Sequence, residues 1–230
     1  MIVNMAMSDL LFPIFALPVI LAELHAGSWL IRGFLGEALC KLVYYLQDIS
    51  TAVSVQSLVL ITVDRFGAVV FPLRSPLISS KLCLVFIPAT WIVASVVFSP
   101  YLFALKLVDK RGDLTCALRW KEAFGESSSQ VHFMLAVSAV FLYIPFALML
   151  ILYFIIIITL KKKKLPGEQS LKAEKQHTKR NRDTLKMAIA IVLGFAICWI
   201  PLSVFNVLYF FVWDTSTAVP YSSTNLLLHL

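Results

Sequence analysis

Of the 230 residues, 60% are hydrophobic and 14% charged, and the mean hydropathy is +0.85. Soluble domains run at roughly 45–50% apolar and about 25% charged, so this composition excludes an ordinary soluble enzyme, a disordered tail and a disulfide-knotted secreted domain. The net charge of +7 raises nucleic acid as a partner, but the basic residues sit between apolar runs, which argues against it.

A helix needs about 20 apolar residues to cross a hydrocarbon core of about 30 Å. Met1–Ala22 is the first candidate span and contains one acid, Asp9. Leu42–Val63 is the second and contains Asp48. Leu82–Leu105, Val131–Leu160 and Met187–Trp213 contain no Asp, Glu, Lys or Arg. Thr215–Leu230 is uncharged and reads as the start of a sixth. No basic residue precedes the first run, so a signal peptide is a poor reading of it.

Loop charge orients the spans. With the first running outward, seven basic residues lie outside: Arg32, Lys41, Lys106, Lys110, Arg111, Arg119 and Lys121. Thirteen lie inside, around Arg65–Lys81 and along 161–186. Cytoplasmic loops carry the Lys/Arg excess. Met1 then starts inside without a polar flank, and Leu230 places a carboxylate in the bilayer, which is costly. The expectation is one membrane-spanning domain over 1–230 that lacks material at both ends.

Outside, Lys106–Asp109 and Leu114–Trp120 flank a Gly-centred turn at Lys110–Asp113, the pattern of a β-hairpin. Inside, 161–186 is basic and is broken at Pro166-Gly167. Such a segment marks the cytoplasmic side, binds anionic membrane lipid and leaves room for a cytoplasmic partner.

A few residues stand out against the apolar background. Intramembrane acids usually face a bundle interior or a wet cavity, which points to Asp9 and, nearer the outer face, Asp48. Asp64-Arg65 ends the second span. Pro88, Pro100, Pro145 and Pro201 predict kinks. Cys40 and Cys116 lie outside, where an oxidising environment permits a bridge. Cys83 and Cys198 read as apolar packing. No His/Cys/acid cluster has zinc spacing, and no phosphate loop is present.

In order and spacing these residues resemble the rhodopsin-like (class A) family of G-protein-coupled receptors. The carriers are Asn4-Met5-Ala6-Met7-Ser8-Asp9-Leu10-Leu11, Trp29 with Phe34-Leu35-Gly36, Cys40, Asp64-Arg65-Phe66, Pro72, Trp91, Pro100, Cys116, Pro145, Tyr153, Phe195 and Cys198-Trp199-Ile200-Pro201. The match departs at Phe66, where Tyr is usual, and at Asn181, where an acid is frequent, with Asp183 nearby.

The resemblance implies an all-α membrane bundle comprising helices 2–6 and the start of 7 of a seven-helix receptor at the plasma membrane. It also implies a Cys40–Cys116 disulfide and no enzymatic activity. The implied ligand site is Gln47, Asp48, Trp199 and Asn206. Val55, Pro145, Phe195, Trp199 and Pro201 would form the activation switch. Asp64, Arg65 and Tyr153 would couple to a heterotrimeric G protein, and Asp9 with Ser54 would hold a sodium ion. Amine receptors of the family carry Asp where this chain has Gln47. That difference favours a peptide ligand of RFamide, neuropeptide Y or tachykinin type. A non-signalling fragment and a transporter are the alternatives, the second disfavoured because no inverted repeat is present.

Overall fold

The computed structural model describes residues 2–71, 79–110, 113–125 and 127–162, together with Lys186, Ile189, Ala190, Val192, Leu193, Gly194, Ala196, Ile197, Pro201 and Val204. The order is α1 (Ile2–Leu11), a π-helical turn (Phe12–Ala16), α2 (Leu17–Ala26), α3 (Gly33–Val70), α4 (Ser80–Phe98), α5 (Pro100–Ala104), β1 (Leu105–Lys110), β2 (Asp113–Leu118), α6 (Trp120–Phe124), α7 (Gln130–Ser138), a second π-helical turn (Ala139–Tyr143) and α8 (Ile144–Lys162).

Four helical stretches are long and apolar enough to cross a membrane: Val3–Glu23, Gly33–Val70, Lys81–Ala104 and Gln130–Leu160. They coincide with the first four expected spans, and three boundaries need correction. The first helix does not stop at Ala22; α2 runs on to Ala26 and closes at Gly27, whose φ of 69° is left-handed. The second is not 42–63 but 38 residues long. Charged residues end an apolar run without ending a helix, and Lys41 and Glu37 pair across one turn at 2.7 Å. Leu105 leaves the third span to open β1. The expected spans Met187–Trp213 and Thr215–Leu230 lie outside the described residues, apart from isolated helical positions such as Val192 and Pro201.

Proline marks the irregular points. Pro13 falls in the first π turn, Pro88 lies inside α4, Pro100 opens α5 and Pro145 follows the second π turn. A missing N–H prevents a regular ladder, and a wider turn accommodates the fault. Ser79 caps α4 and Ser129 caps α7, each accepting from a backbone N–H three residues on.

Large exposed apolar side chains such as Ile14, Leu84, Ile92 and Phe154 face outward along the spans. In hydrocarbon this is the solvated surface, so packing and interhelical hydrogen bonds carry the fold. Two cores line α3. The outer one joins Trp29, Cys40, Tyr44, Val53, Phe98, Tyr101, Cys116 and Phe141. The inner one joins Val55, Leu58, Leu142, Phe146, Met149, Tyr153, Ile156 and Val192.

The outer cap is the expected hairpin, antiparallel with Leu105 opposite Leu118 and Lys110 opposite Asp113. Its second strand runs from Asp113 to Leu118 and not from Leu114 to Trp120, because Trp120 begins α6. Cys40 and Cys116 form a disulfide with their Cα atoms 5.7 Å apart. The Trp29 N–H donates to the Leu114 carbonyl at 2.7 Å, docking the α2–α3 loop onto the hairpin. At Gly36 a Cβ would lie 2.0 Å from the Ile31 carbonyl oxygen, so only glycine lets that loop fold back on α3.

Candidate functional site

One face of α3 carries a polar stripe at helical spacing: Tyr44, Gln47, Ser50, Ser54 and Ser57, all buried. The partners of this stripe divide the site into outer and middle tiers, and a third tier follows at the inner end.

In the outer tier the Tyr44 hydroxyl donates to Glu23 Oε2 at 3.4 Å. Glu23 and Gln47 are both buried, and Oε1 of each has no hydrogen-bond partner. Asp48, one residue on, is half-buried and acts electrostatically on the Tyr101 hydroxyl. About 100° of helix separates the directions of Gln47 and Asp48 on α3.

The middle tier ties α1 to α3 and α4. The Asn4 amide donates to Ser57 Oγ at 2.9 Å, and its oxygen accepts from Trp91 Nε1 at 2.9 Å. Ser54 donates to Asp9 Oδ1 and lies 2.7 Å from Ser8 Oγ, while Ser50 donates to the Ser8 carbonyl. The Ser8 hydroxyl also reaches the Met5 carbonyl at 2.8 Å. Two hydroxyl protons thus serve three contacts. Asp9 is otherwise exposed.

At the inner end Arg65 pairs with Asp64 at 3.3 Å, and its buried Nε has no partner. The hydroxyls of Tyr153 and Thr62 are bonded at 3.1 Å, with Arg65 within electrostatic reach of the phenol. A guanidinium held at a helix end beside a phenol from α8 can exchange an intramolecular partner for an inserted one.

The family model for the 7 transmembrane receptor (rhodopsin family) matches residues 1–228. The chain belongs to that family. It is 27% identical over 207 residues to the substance-K receptor of Homo sapiens, covering 90% of this chain and 50% of that protein. It is 29% identical to a QRFP-like peptide receptor of Branchiostoma floridae, over 87% and 52% of the two chains. To neuropeptide receptor 22 of Caenorhabditis elegans it is 29% identical, over 88% and 48%. The chain spans about half the length of these relatives.

For this rhodopsin-family chain the structure brings together Asp9 with Ser54, Arg65 with Asp64 and Tyr153, and Cys40 with Cys116. Val55 packs among Leu142, Phe146 and Met149, and the half-buried Pro145 lies between the first two in sequence. Phe195, Trp199 and Asn206 lie outside the described residues, as do Asn181, Asp183, Pro72 and Cys198. Pro201 is helical. Glu23, Tyr44, Ser8, Ser50, Ser57 and Thr62 were not singled out from sequence. The stripe 44, 47, 50, 54, 57 carries the signal for Tyr44, Ser50 and Ser57, since its intervals of three and four residues hold one helix face.

Proposed function

We propose that this chain forms the membrane core of a plasma-membrane receptor that takes a peptide at its outer end and activates a heterotrimeric G protein at its inner end. The observation that carries the reading is α3 itself. It presents Gln47 with an unpartnered amide oxygen in the outer half and Arg65 with an unpartnered Nε at the inner end. Gln47, flanked by Asp48, offers a ligand both an acceptor and donors. An uncharged amide there favours a peptide's polar end over a small amine, and the relatives named as peptide receptors support that choice.

Residues 1–230 act as one domain without enzymatic chemistry. Ligand bound between the outer helix halves favours a state in which the switch residues Val55, Pro145, Phe195, Trp199 and Pro201 respond together and Arg65 leaves Asp64 for the G protein. A ligand achieves this only by preferring that state. Asp9, Ser54 and Ser8 offer carboxylate and hydroxyl oxygens, a donor set that suits a sodium ion. The basic segment 161–186 meets anionic lipid at the cytoplasmic face and makes no use of nucleic acid.

The test is peptide-driven nucleotide exchange. The full-length receptor, expressed in cell membranes with a heterotrimeric G protein, is exposed to pools of amidated pentapeptides. Exchange that depends on a peptide pool and disappears in Gln47→Ala supports the reading. Silence to every peptide pool, with activation by small amines through Asp48, overturns it.

A further inference from the structure

The loop between α2 and α3 is short, pinned on its inner side and apolar on its outer side. Gly27 and Gly33 turn it, both with positive φ. Trp29 is buried, and its N–H donates to the Leu114 carbonyl. Gly36 packs against the Ile31 carbonyl. With Trp29 turned inward, Leu30, Ile31, Phe34 and Leu35 are left exposed, Phe34 at 89%. Between Gly27 and Gly36 the one charged residue is Arg32. Four large apolar side chains held outward by a fixed backbone form a patch that water does not favour.

The depth of that patch follows from the spans. Arg65 and Lys81 mark the inner membrane surface, as basic residues at span ends do. Phe34 lies 31 residues before Arg65 on one continuous helix, which is about 46 Å, or about 44 Å at the usual tilt of about 20°. A bilayer with its headgroup zones spans about 40–45 Å. Phe34 therefore falls at the outer headgroup layer. The third span gives a second measure. Exposed Phe103 lies 22 residues beyond Lys81, about 33 Å, at the outer edge of a hydrocarbon core of about 30 Å. The two measures meet where α3 touches the hairpin: a Cβ at Gly36 would lie 3.3 Å from Leu107, four residues past Phe103. The patch is also continuous with the lipid-facing surface, since Leu35 and exposed Leu42 are seven residues apart on one face of α3.

We propose that Leu30, Ile31, Phe34 and Leu35 form a lipid-binding surface that seats the outer cap in the outer leaflet. The occupant is the boundary between phosphate headgroups and acyl chains. The apolar side chains enter the acyl side, and Arg32 supplies a cation at the level of the phosphates. Because the same loop is bonded to the hairpin through Trp29 and Leu114, this anchor sets the height of the hairpin over the membrane.

The test uses the full-length protein in phosphatidylcholine vesicles, with cysteines other than Cys40 and Cys116 replaced by serine. A nitroxide is attached at Phe34→Cys and, in a separate variant, at Leu30→Cys. The references are Ile92→Cys, on the lipid-facing side of α4, and Asp113→Cys, at the exposed hairpin turn. Collisions with molecular oxygen report acyl chains, where oxygen concentrates, and collisions with a soluble nickel chelate report water. The ratio of oxygen to chelate collisions at Phe34 and Leu30 should stand several-fold above that at Asp113, shifted toward that at Ile92. A ratio no higher than at Asp113 places the patch in water and overturns the proposal. Loss of collisions with both reagents means that protein covers the patch, whether another segment of the chain or a second copy, and overturns it too. Both labelled side chains are exposed, and Leu30→Cys gives the reading independently if Phe34→Cys fails to fold.

Discussion

The hydroxyls of Thr62 and Tyr153 meet at 3.1 Å, one turn of α3 above Arg65. Both side chains are buried, and Tyr153 arrives from α8 through the inner core. The bond holds the phenol ready beside a guanidinium whose Nε is unpartnered. Removing the phenol oxygen in Tyr153→Phe should reduce the maximal rate of nucleotide exchange while leaving peptide affinity unchanged. Arg65→Ala should abolish exchange with surface expression and peptide binding intact. Radioligand binding and exchange assays on the same membranes separate the two, and normal exchange in Arg65→Ala would remove the coupling role.

The Asn4 side chain spans three helices by bonding Ser57 and Trp91. Asn4→Ala strips the partner from a Trp91 N–H and from Ser57 in a region with little water to replace it. A buried group left without its partner costs about 1–3 kcal/mol. Thermal unfolding of the receptor in detergent should show a clear fall for Asn4→Ala. Ser57→Ala, which removes one acceptor, should cost less.

Ser54 and Ser8 share their protons with Asp9 and the Met5 carbonyl. Asp9→Asn should therefore abolish any dependence of agonist affinity on sodium. Ser54→Ala should weaken that dependence, as it removes one oxygen of the donor set. Titrating agonist binding against sodium chloride, with choline chloride as the control for ionic strength, measures both. A sodium response unchanged in Asp9→Asn would confine Asp9 to a structural role.

The outer cap hangs on the Cys40–Cys116 bond. Peptide mapping without reductant should recover the two cysteines linked. Cys40→Ala, Cys116→Ala and the double variant should lose similar stability, about 2–4 kcal/mol each, because all three break the same constraint. A double variant much worse than either single would mean that the cysteines act separately.

Gly36→Ala should disrupt the same cap by another route. The added methyl meets backbone at Ile31, which cannot rotate away as a side chain could. Surface expression and the protection of Trp29 from solvent quenching should both fall. Gly194, where an added Cβ meets nothing within 4 Å, supplies a tolerated control.

Sequence made the spans readable because hydrocarbon tolerates almost no charge, so Val131–Leu160 could hardly be anything else. The hairpin was readable from Gly112 and its flanking runs. Span boundaries were not, since Glu37, Lys41, Asp64 and Arg65 interrupt hydropathy but leave the helical ladder intact. Ending the first span at Ala22 also assigned Glu23 to an outer loop, although the helix carries it into the bundle. The Asn4–Trp91 bond was hidden for a different reason. Its partners are 87 residues apart, and nothing in either neighbourhood specifies the other.

Among the four described spans, α3 alone contains no proline. Under the function proposed above, a ligand pressing on Gln47 would work on a stiff spindle among pliant staves. Arg65 lies 18 residues further on, about 27 Å away. With no proline hinge between them, a turn or thrust at the top would pass to the bottom along one continuous helix. The disulfide and the docked hairpin fix the bearing in which the spindle turns. Loosening that bearing should blunt the response at the cytoplasmic end even where no ligand contact is touched.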